Sequence, residues 1–320
     1  MPADAHFRNV KLVPLRYAAG WLLYAFMRTI VWLPFSWQLA LGKKVGAWSR
    51  FLLTGRRNVV RRNLEVCFPA LSEPQRGRLL VEHFAALGAS LIEMSMGWFG
   101  SVATLRRLVR IEGAENLADG LATGRGVILY SGHYTTFELF FPVLAPLCPR
   151  LCGMYKTLRN PVMNKVMNKG RGRSFDNLFV KDSVRDMLRE LAANAVVWYA
   201  SDQQYSRKGS TLLPFFGVPA MTNTAISRIA RISGAVVLPY FCRRLPGDEV
   251  YELIIDGPLE EFPTDDAEHD TRRLVAALEA HIRSCPEQYW WIHKRFKGRP
   301  PPYPDIYATQ YVAAGPVTSE

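Results

Sequence analysis

The sequence predicts an α/β fold in which helices flank a mostly parallel central sheet. From residue 109 onward, apolar runs of strand length alternate with segments of helical periodicity, the pattern of strands joined by helical crossovers. Pro161 behind Asn160 is typical of a capped helix start, and Gly234 is typical of a helix end. Strands are predicted at 127–131, 152–155, 195–200, 235–242 and 250–255, and helices at 136–147, 161–170, 182–193, 222–233 and 270–284.

The N-terminal part is apolar and rich in aromatic residues. Residues 17–42 carry one charge, Arg28, and one proline, Pro34. A span needs about 20 apolar residues, and the uncharged runs here are shorter, with cations on both sides. We predict a membrane-anchoring helix within 1–45, either spanning the bilayer or lying in its interface; the alternative is a buried helix of a soluble fold.

Helical periodicity also covers residues 45–98. Ser72 and Gln75 have the spacing of a capping box at the start of a helix that runs to about Ser95. We predict that the α/β domain occupies 46–300 and that 301–320 form an irregular tail.

Charge and cysteine content limit the partners. The chain has 40 Lys and Arg against 28 Asp and Glu, a net charge of +12, which favours an acidic partner. No nucleic-acid-binding motif is present, so we expect anionic lipid and no nucleic acid. Five cysteines without regular spacing indicate a reducing compartment rather than a disulfide framework, and no metal site is predicted.

Several common catalytic motifs are absent. The chain has no G-x-S-x-G elbow, no H-E-x-x-H and no phosphate-binding loop ending in G-K-S/T. These absences argue against a serine hydrolase, a zinc protease and a nucleotide-dependent enzyme.

The candidate catalytic residues follow the first strong strand. His133 comes just after the run 127–131, and Glu138 stands five positions later. An imidazole can serve as a general base, and a neighbouring carboxylate can orient it. Five residues on a continuous helix diverge by about 140°, so the pair can meet only if His133 lies in the turn before the helix. The alternatives are that Thr135 and Glu138 form a capping box and that His133 is an ordinary histidine bonded to a backbone carbonyl.

Two further segments carry candidate binding residues. The stretch 155–173 contains six cations and no acid, a composition that suits phosphate or carboxylate groups but also an ordinary solvated face. Asp202 and Gln203 follow the strand at 195–200, so we expect them at the same edge of the sheet as His133, where they either shape the site or hold a loop.

Two further segments are open to more than one interpretation. The bend at 214–219 is either the wall of an acyl-chain pocket or a core loop. The stretch 286–300 mixes aromatic and basic residues, as a membrane-interface segment or a packed helix end would.

Taken together, these segments resemble the bacterial lipid A biosynthesis acyltransferases, the late lauroyl and myristoyl transferases. The matching stretches occur in order over nearly the whole chain. They are RRNLEVCFP at 61–69, GRGVILYSGHYTTFE at 124–138, 155–161, RGR at 171–173, VWYASDQ at 197–203, PFFGVP at 214–219 and 286–300.

The resemblance implies an inner-membrane enzyme with a glycerolipid-acyltransferase-like fold and a catalytic domain on the cytoplasmic side. It implies transfer of a fatty acyl group from acyl-acyl carrier protein, an acidic donor, to a hydroxyl of an anionic, Kdo-bearing lipid A precursor, with no cofactor or metal. His133 and Glu138 fall on the family's catalytic pair. The candidate substrate-binding residues are Tyr155, Lys156, Arg159, Asn160, Arg171, Arg173, Asp202 and Gln203.

Two other functions are compatible with the residues themselves. One is acyl transfer to a different lipid, such as a glycerol phosphate or a glycolipid, by the same histidine and glutamate. The other is lipid binding at the membrane without catalysis.

Overall fold

The computed structural model describes residues 17–180, 183–207, 209–246 and 251–308. Within them, seven strands form one sheet in the order β1-β9-β8-β2-β5-β3-β4, and β6 and β7 form a separate hairpin. The predicted α/β fold with a mostly parallel sheet is confirmed. The strands are β1 (Val109–Glu112), β2 (Val127–Ser131), β3 (Leu151–Tyr155), β4 (Asn177–Val180), β5 (Val196–Ala200), β6 (Ser210–Phe215), β7 (Val218–Asn223), β8 (Val236–Arg244) and β9 (Tyr251–Ile255).

Strand β2 is the centre of the sheet. It pairs in parallel with β5 on one side and with β8 on the other, and all five of its residues are buried. The parallel arrangement continues through β3 to β4, whereas β9 runs antiparallel to β8. A strand covered on both faces is uniformly apolar, which is why 127–131 was recognisable from the sequence.

Helices pack around the sheet, and five of them precede its first strand in the chain. They are α1 (Ala18–Ile30), α2 (Phe35–Ser49), α3 (Thr54–Cys67), α4 (Glu73–Phe99), α5 (Val102–Leu108), α6 (Ala114–Ala122), α7 (Phe137–Leu144), α8 (Pro161–Arg171), α9 (Val184–Ala192), α10 (Ala225–Ser233) and α11 (Ala267–Ser284). The capping box predicted at Ser72 forms: its hydroxyl accepts from the Gln75 backbone, and the Gln75 side chain accepts from the Ser72 backbone.

Several elements differ from the sequence prediction. Strands β1, β4, β6 and β7 were not predicted, and the helix predicted from residue 222 begins at Ala225, after β7 ends. The bend at 214–219 is the turn of the β6–β7 hairpin, in which Phe215 and Phe216 are buried against Trp291. It therefore belongs to the core. The predicted starts at residues 182 and 250 lie outside the described residues.

The N-terminal region contains two helices where one was predicted. The chain leaves α1 at Ile30 and enters α2 at Phe35, just after Pro34. A proline lacks the N–H that a continuous helix requires, so it ends one helix and begins the next. Residues 1–16 of the predicted segment, and 309–320 of the predicted tail, lie outside the described part.

One described helix is long and apolar enough to cross a membrane, and it is α4. It has 27 residues, and 61% of its most apolar window is buried inside the protein. Helix α2 packs along it so closely that a Cβ on Gly46 would collide with the backbone carbonyl of Phe84. Such close backbone approach requires glycine.

Candidate active site

His133 lies at the carboxyl edge of the sheet, two residues after β2 ends. Asp202 lies two residues after the end of the neighbouring strand β5, and the register pairs Ser131 with Ala200. The parallel register therefore brings the two side chains together. The expectation that Asp202 shares an edge with His133 is confirmed.

The carboxylate of Asp202 makes two hydrogen bonds to His133. Nδ1 of the imidazole lies 2.6 Å from Oδ1, and the backbone N–H of His133 donates to Oδ2 at 2.8 Å. An ionised carboxylate only accepts hydrogen bonds, so Nδ1 carries a hydrogen and Nε2 is the ring nitrogen left for a substrate. The His133 side chain is 23% exposed. The imidazole is thus oriented through Nδ1 and remains partly accessible.

Asp202 remains ionised in spite of its burial. Burial by itself raises the pKa of this carboxyl group, but the charge and the two hydrogen bonds of His133, together with Tyr289, lower it to about 2. A permanently charged carboxylate stabilises the positive charge that His133 acquires when it takes up a proton.

The loop that carries His133 is held by the stretch 286–300. The backbone N–H of Trp290 donates to the His133 carbonyl at 3.0 Å, and that of Thr135 donates to the Gln288 carbonyl at 2.8 Å. Three of its four Tyr, Trp and Phe side chains are buried: Tyr289, Trp291 and Phe296. This burial favours the interpretation of 286–300 as a packed segment over the membrane-interface interpretation.

Glu138 contacts a different set of residues from the one predicted. One of its carboxylate oxygens accepts from Nε of Arg171 at 2.9 Å and also from Nη2 of that residue, and the other accepts from the indole Nε1 of Trp98 at 2.9 Å. The predicted contact of Glu138 with His133 is therefore corrected: Asp202 takes that place.

The backbone explains why Glu138 turns away. Helix α7 begins at Phe137, whose ring packs 6.0 Å from the His133 ring. The next residue on a helix points about 100° away, so Glu138 faces α4 and α8. The alternative capping box does not form either: Thr136 is the N-cap residue but makes no side-chain cap, and its hydroxyl lies 3.5 Å from Sγ of Cys242.

The predicted binding residues between β3 and α8 have different surroundings. Lys156 and Arg159 are exposed, whereas Tyr155 packs in a small apolar cluster with Trp98. The Asn160 side chain accepts from the backbone N–H groups of Val162 and Met163, at 3.0 and 3.2 Å, and caps α8. Lys156 and Arg159 therefore have the most open side chains of the four.

The remaining predicted residues lie near the two carboxylates. Arg171 binds Glu138, and Gln203 is next to Asp202 in the turn after β5. The guanidinium of Arg173 donates to the backbone carbonyls of Trp98 and Gly100, at 2.6 and 3.1 Å, and so holds the end of α4.

Trp98 was not singled out from the sequence. It belongs to α4, 40 residues before Glu138, and only the fold brings the two together. No local spacing signal reveals such a contact. Among the described residues, no group of three His, Cys, Asp or Glu side chains is placed to hold a metal ion.

Comparison with known proteins gives a consistent result over nearly the full length. The family model described as bacterial lipid A biosynthesis acyltransferase matches residues 5–298. The lipid A biosynthesis lauroyltransferase of Escherichia coli K12 is 34% identical over 300 residues, covering 93% of this chain and 98% of its own.

Two further E. coli K12 relatives agree with it. The lipid A biosynthesis palmitoleoyltransferase is 33% identical, covering 89% of this chain and 93% of its own. The lipid A biosynthesis myristoyltransferase is 25% identical, covering 89% of each chain. The protein is therefore an acyltransferase, and it belongs to the bacterial lipid A biosynthesis acyltransferase family.

Proposed function

We propose that the protein transfers a fatty acyl chain from acyl-acyl carrier protein to a hydroxyl of a Kdo-bearing lipid A precursor, a late acylation in lipopolysaccharide biosynthesis. The observation that carries the proposal is the oriented imidazole of His133, bonded through Nδ1 to buried Asp202. Membership of the family and the names of the E. coli relatives support lipid A as the acceptor class.

In the proposed reaction, His133 is the general base. Nε2 removes the proton from the acceptor hydroxyl, and the oxygen attacks the thioester carbonyl to form a tetrahedral intermediate. The intermediate then collapses, the carbon–sulfur bond breaks, and His133 returns the proton to the departing thiolate. The products are an ester and a free thiol, and no further reactant is required.

Asp202 and Glu138 have separate tasks in this proposal. Asp202 fixes the tautomer of His133 and stabilises its cation. Glu138 fixes the guanidinium of Arg171, which lies 6.0 Å from the ring of Phe137, a neighbour of His133. A fixed cation near the reacting carbonyl stabilises the negative oxygen of the intermediate. Glu138 thus remains part of the catalytic machinery, but through Arg171.

Recognition of the substrates is proposed to rest on positive charge. Lys156 and Arg159 are exposed after β3, at the same edge of the sheet as His133, and suit the phosphates and sugar carboxylates of the acceptor. The net charge of +12 favours encounter with an acidic carrier protein. Tyr155, Asn160 and Arg173 contribute by shaping this region, since their side chains pack or bind within the protein.

We further propose that the protein acts at the inner membrane, with its catalytic domain on the cytoplasmic side, and that the N-terminal region provides the anchor. Helices α1 and α2 have 13 and 15 residues, about 20 Å each, against a hydrocarbon core of about 30 Å. They are too short to span individually, which favours the interfacial form of the anchor.

The outer surface of these helices, of the turn between them and of the residues that follow α2 fits a membrane interface. Trp32 is 79% exposed, Leu22 71% and Trp37 69%, an unusual exposure for large apolar side chains. Between Tyr17 and Leu64 there are eight Lys and Arg and no Asp or Glu. Tryptophan with basic neighbours suits anionic headgroups. The exposed apolar residues of this surface are Trp21, Leu22, Phe26, Trp32, Leu33, Trp37, Leu41, Val45, Trp48, Phe51, Leu52 and Leu53.

The proposed function is tested with the full-length protein in detergent or vesicles. It is incubated with acyl-acyl carrier protein and, in separate reactions, with a Kdo-bearing lipid A precursor, glycerol 3-phosphate or a glycolipid, and the products are identified by mass spectrometry. We expect one added acyl chain on the lipid A precursor alone. Acylation of glycerol phosphate or the glycolipid in its place would contradict the proposed acceptor.

A further inference from the structure

We infer that Trp98 is a positioning residue of the active site, which holds the carboxylate of Glu138 so that Glu138 can fix Arg171. The indole Nε1 donates to one oxygen of Glu138 at 2.9 Å, and Arg171 binds the other. Each carboxylate oxygen of Glu138 therefore has its own donor. This inference rests on the proposed function, in which Arg171 stabilises the developing negative charge.

The hydrogen bond between Trp98 and Glu138 lies in a buried environment that strengthens it. Trp98 is 4% exposed and Glu138 3%, so water cannot replace the indole as a donor. A hydrogen bond to a charged group in such a dry environment is among the stronger ones in proteins. Loss of the donor would leave one oxygen of a buried carboxylate unpaired and free the side chain to change rotamer.

The indole itself is fixed from several sides. The backbone at Gly170 of α8 lies so close to the ring that a Cβ there would collide with it, and Arg173 donates to the Trp98 carbonyl at 2.6 Å. The neighbouring Gly97 brings α4 against the backbone of Glu138 in the same manner. Helix α4 therefore supplies a rigid donor, and rigidity in a supporting residue is what keeps a catalytic group in place.

Trp98 also belongs to the small apolar cluster that joins α1, α4 and α8. This cluster contains Met27 of α1 and Val162 and Val166 of α8. Packing on all of these sides explains why a bulky aromatic residue is present, but it does not require an N–H group. The hydrogen bond to Glu138 is the feature that selects tryptophan over phenylalanine.

The first test measures the hydrogen bond without any assay of activity. Thermal unfolding is compared for the wild type, Trp98→Phe, Glu138→Ala and the double variant. If the two side chains interact, the double variant loses less than the sum of the single losses, because contacting residues are not additive. Strict additivity would overturn the inference.

The second test measures turnover. Trp98→Phe keeps the packing and removes the donor, so kcat should fall by up to about 10-fold, no more than when Arg171 itself is disturbed, with little change in KM for either substrate. Trp98→His should recover part of the loss, since Nε2 of histidine occupies the same ring position as Nε1 of tryptophan. Equal activity of Trp98→Phe and the wild type would overturn the inference.

A matched control separates positioning from general destabilisation. Tyr251 is buried and its hydroxyl donates to the buried carboxylate of Glu93 at 2.9 Å, so Tyr251→Phe loses a comparable bond to a different carboxylate. We expect it to lose thermal stability but to keep kcat. An equal fall of kcat in both variants would contradict the inference. If Trp98→Phe does not fold, Trp98→Gln and Trp98→Met provide the same comparison of a donor with a non-donor.

The outcomes for the two proposals are distinct. A wild-type protein that acylates no lipid would refute the proposed function, while the unfolding measurements would still decide whether Trp98 fixes Glu138. An active wild type with an equally active Trp98→Phe variant would refute only the role of Trp98.

Discussion

Asp202 binds His133 through both of its carboxylate oxygens, although 69 residues separate the two in the chain. One oxygen accepts from the ring and the other from the backbone of the same residue. The imidazole is therefore fixed in both tautomer and orientation before any substrate arrives, and that arrangement determines which variants will be informative.

Replacement of His133 by alanine should abolish most of the transferase activity. A positioned general base contributes about 10²- to 10⁴-fold, so kcat should fall by that factor in an assay of acyl transfer. The variant also leaves the buried Asp202 carboxylate without its imidazole partner, so the unfolding temperature should fall and activity is compared at a temperature at which both proteins are folded. A folded His133→Ala protein with full activity would exclude the proposed mechanism.

Replacement of Asp202 by asparagine should slow turnover because the amide can donate to Nδ1 and stabilise the wrong tautomer of His133. We expect kcat to fall by about 10²-fold or more. Asp176→Asn is the matched control, since Asp176 accepts from the Leu151 backbone at 2.8 Å at the amino end of β3. A similar loss in both variants would indicate a general effect on folding.

Replacement of Arg171 by lysine should reduce kcat, because a single ammonium group cannot reproduce the two hydrogen bonds to Glu138. We expect about a 10-fold fall with little change in the affinity for lipid, and Glu138→Gln should behave in the same way. Arg150→Lys, which disturbs an ion pair with Glu190 at the opposite edge of the sheet, is the control. A variant that weakens lipid binding but keeps kcat would instead assign Arg171 to substrate binding.

Stability should decrease as the pH falls from about 6.5 to about 4. Burial, with help from nearby cations, lowers the pKa of both His281 and His293 from 6.5 to about 4. In that interval the unfolded chain binds protons that the folded protein does not, so the free energy of unfolding falls by up to about 1.4 kcal/mol per pH unit for each histidine. Urea denaturation across this range measures the slope, which His293→Gln should reduce. A flat profile would contradict the assignment.

Membrane binding should depend on the exposed tryptophans of helix α2 and of the turn that precedes it. Replacement of both Trp32 and Trp37 by serine removes two exposed aromatic anchors without touching the core, so the protein should sediment less with vesicles that contain anionic lipid. Trp290→Ser serves as a control for the loss of a partly exposed tryptophan elsewhere. Undiminished binding of the double variant would place the anchor outside this surface.

The sequence by itself determined the α/β class, the central strand at 127–131 and the position of His133 behind it, because apolar runs and turn residues are local signals. It also indicated that Asp202 would stand at the same edge, since parallel strands end together. It could not determine which carboxylate orients the imidazole: Glu138 is near in the chain but begins a helix that turns it away, whereas Asp202 is distant and reaches His133 through strand pairing. The contact of Trp98 with Glu138, and the division of the N-terminal segment around Pro34, likewise depend on packing between elements that no local pattern records.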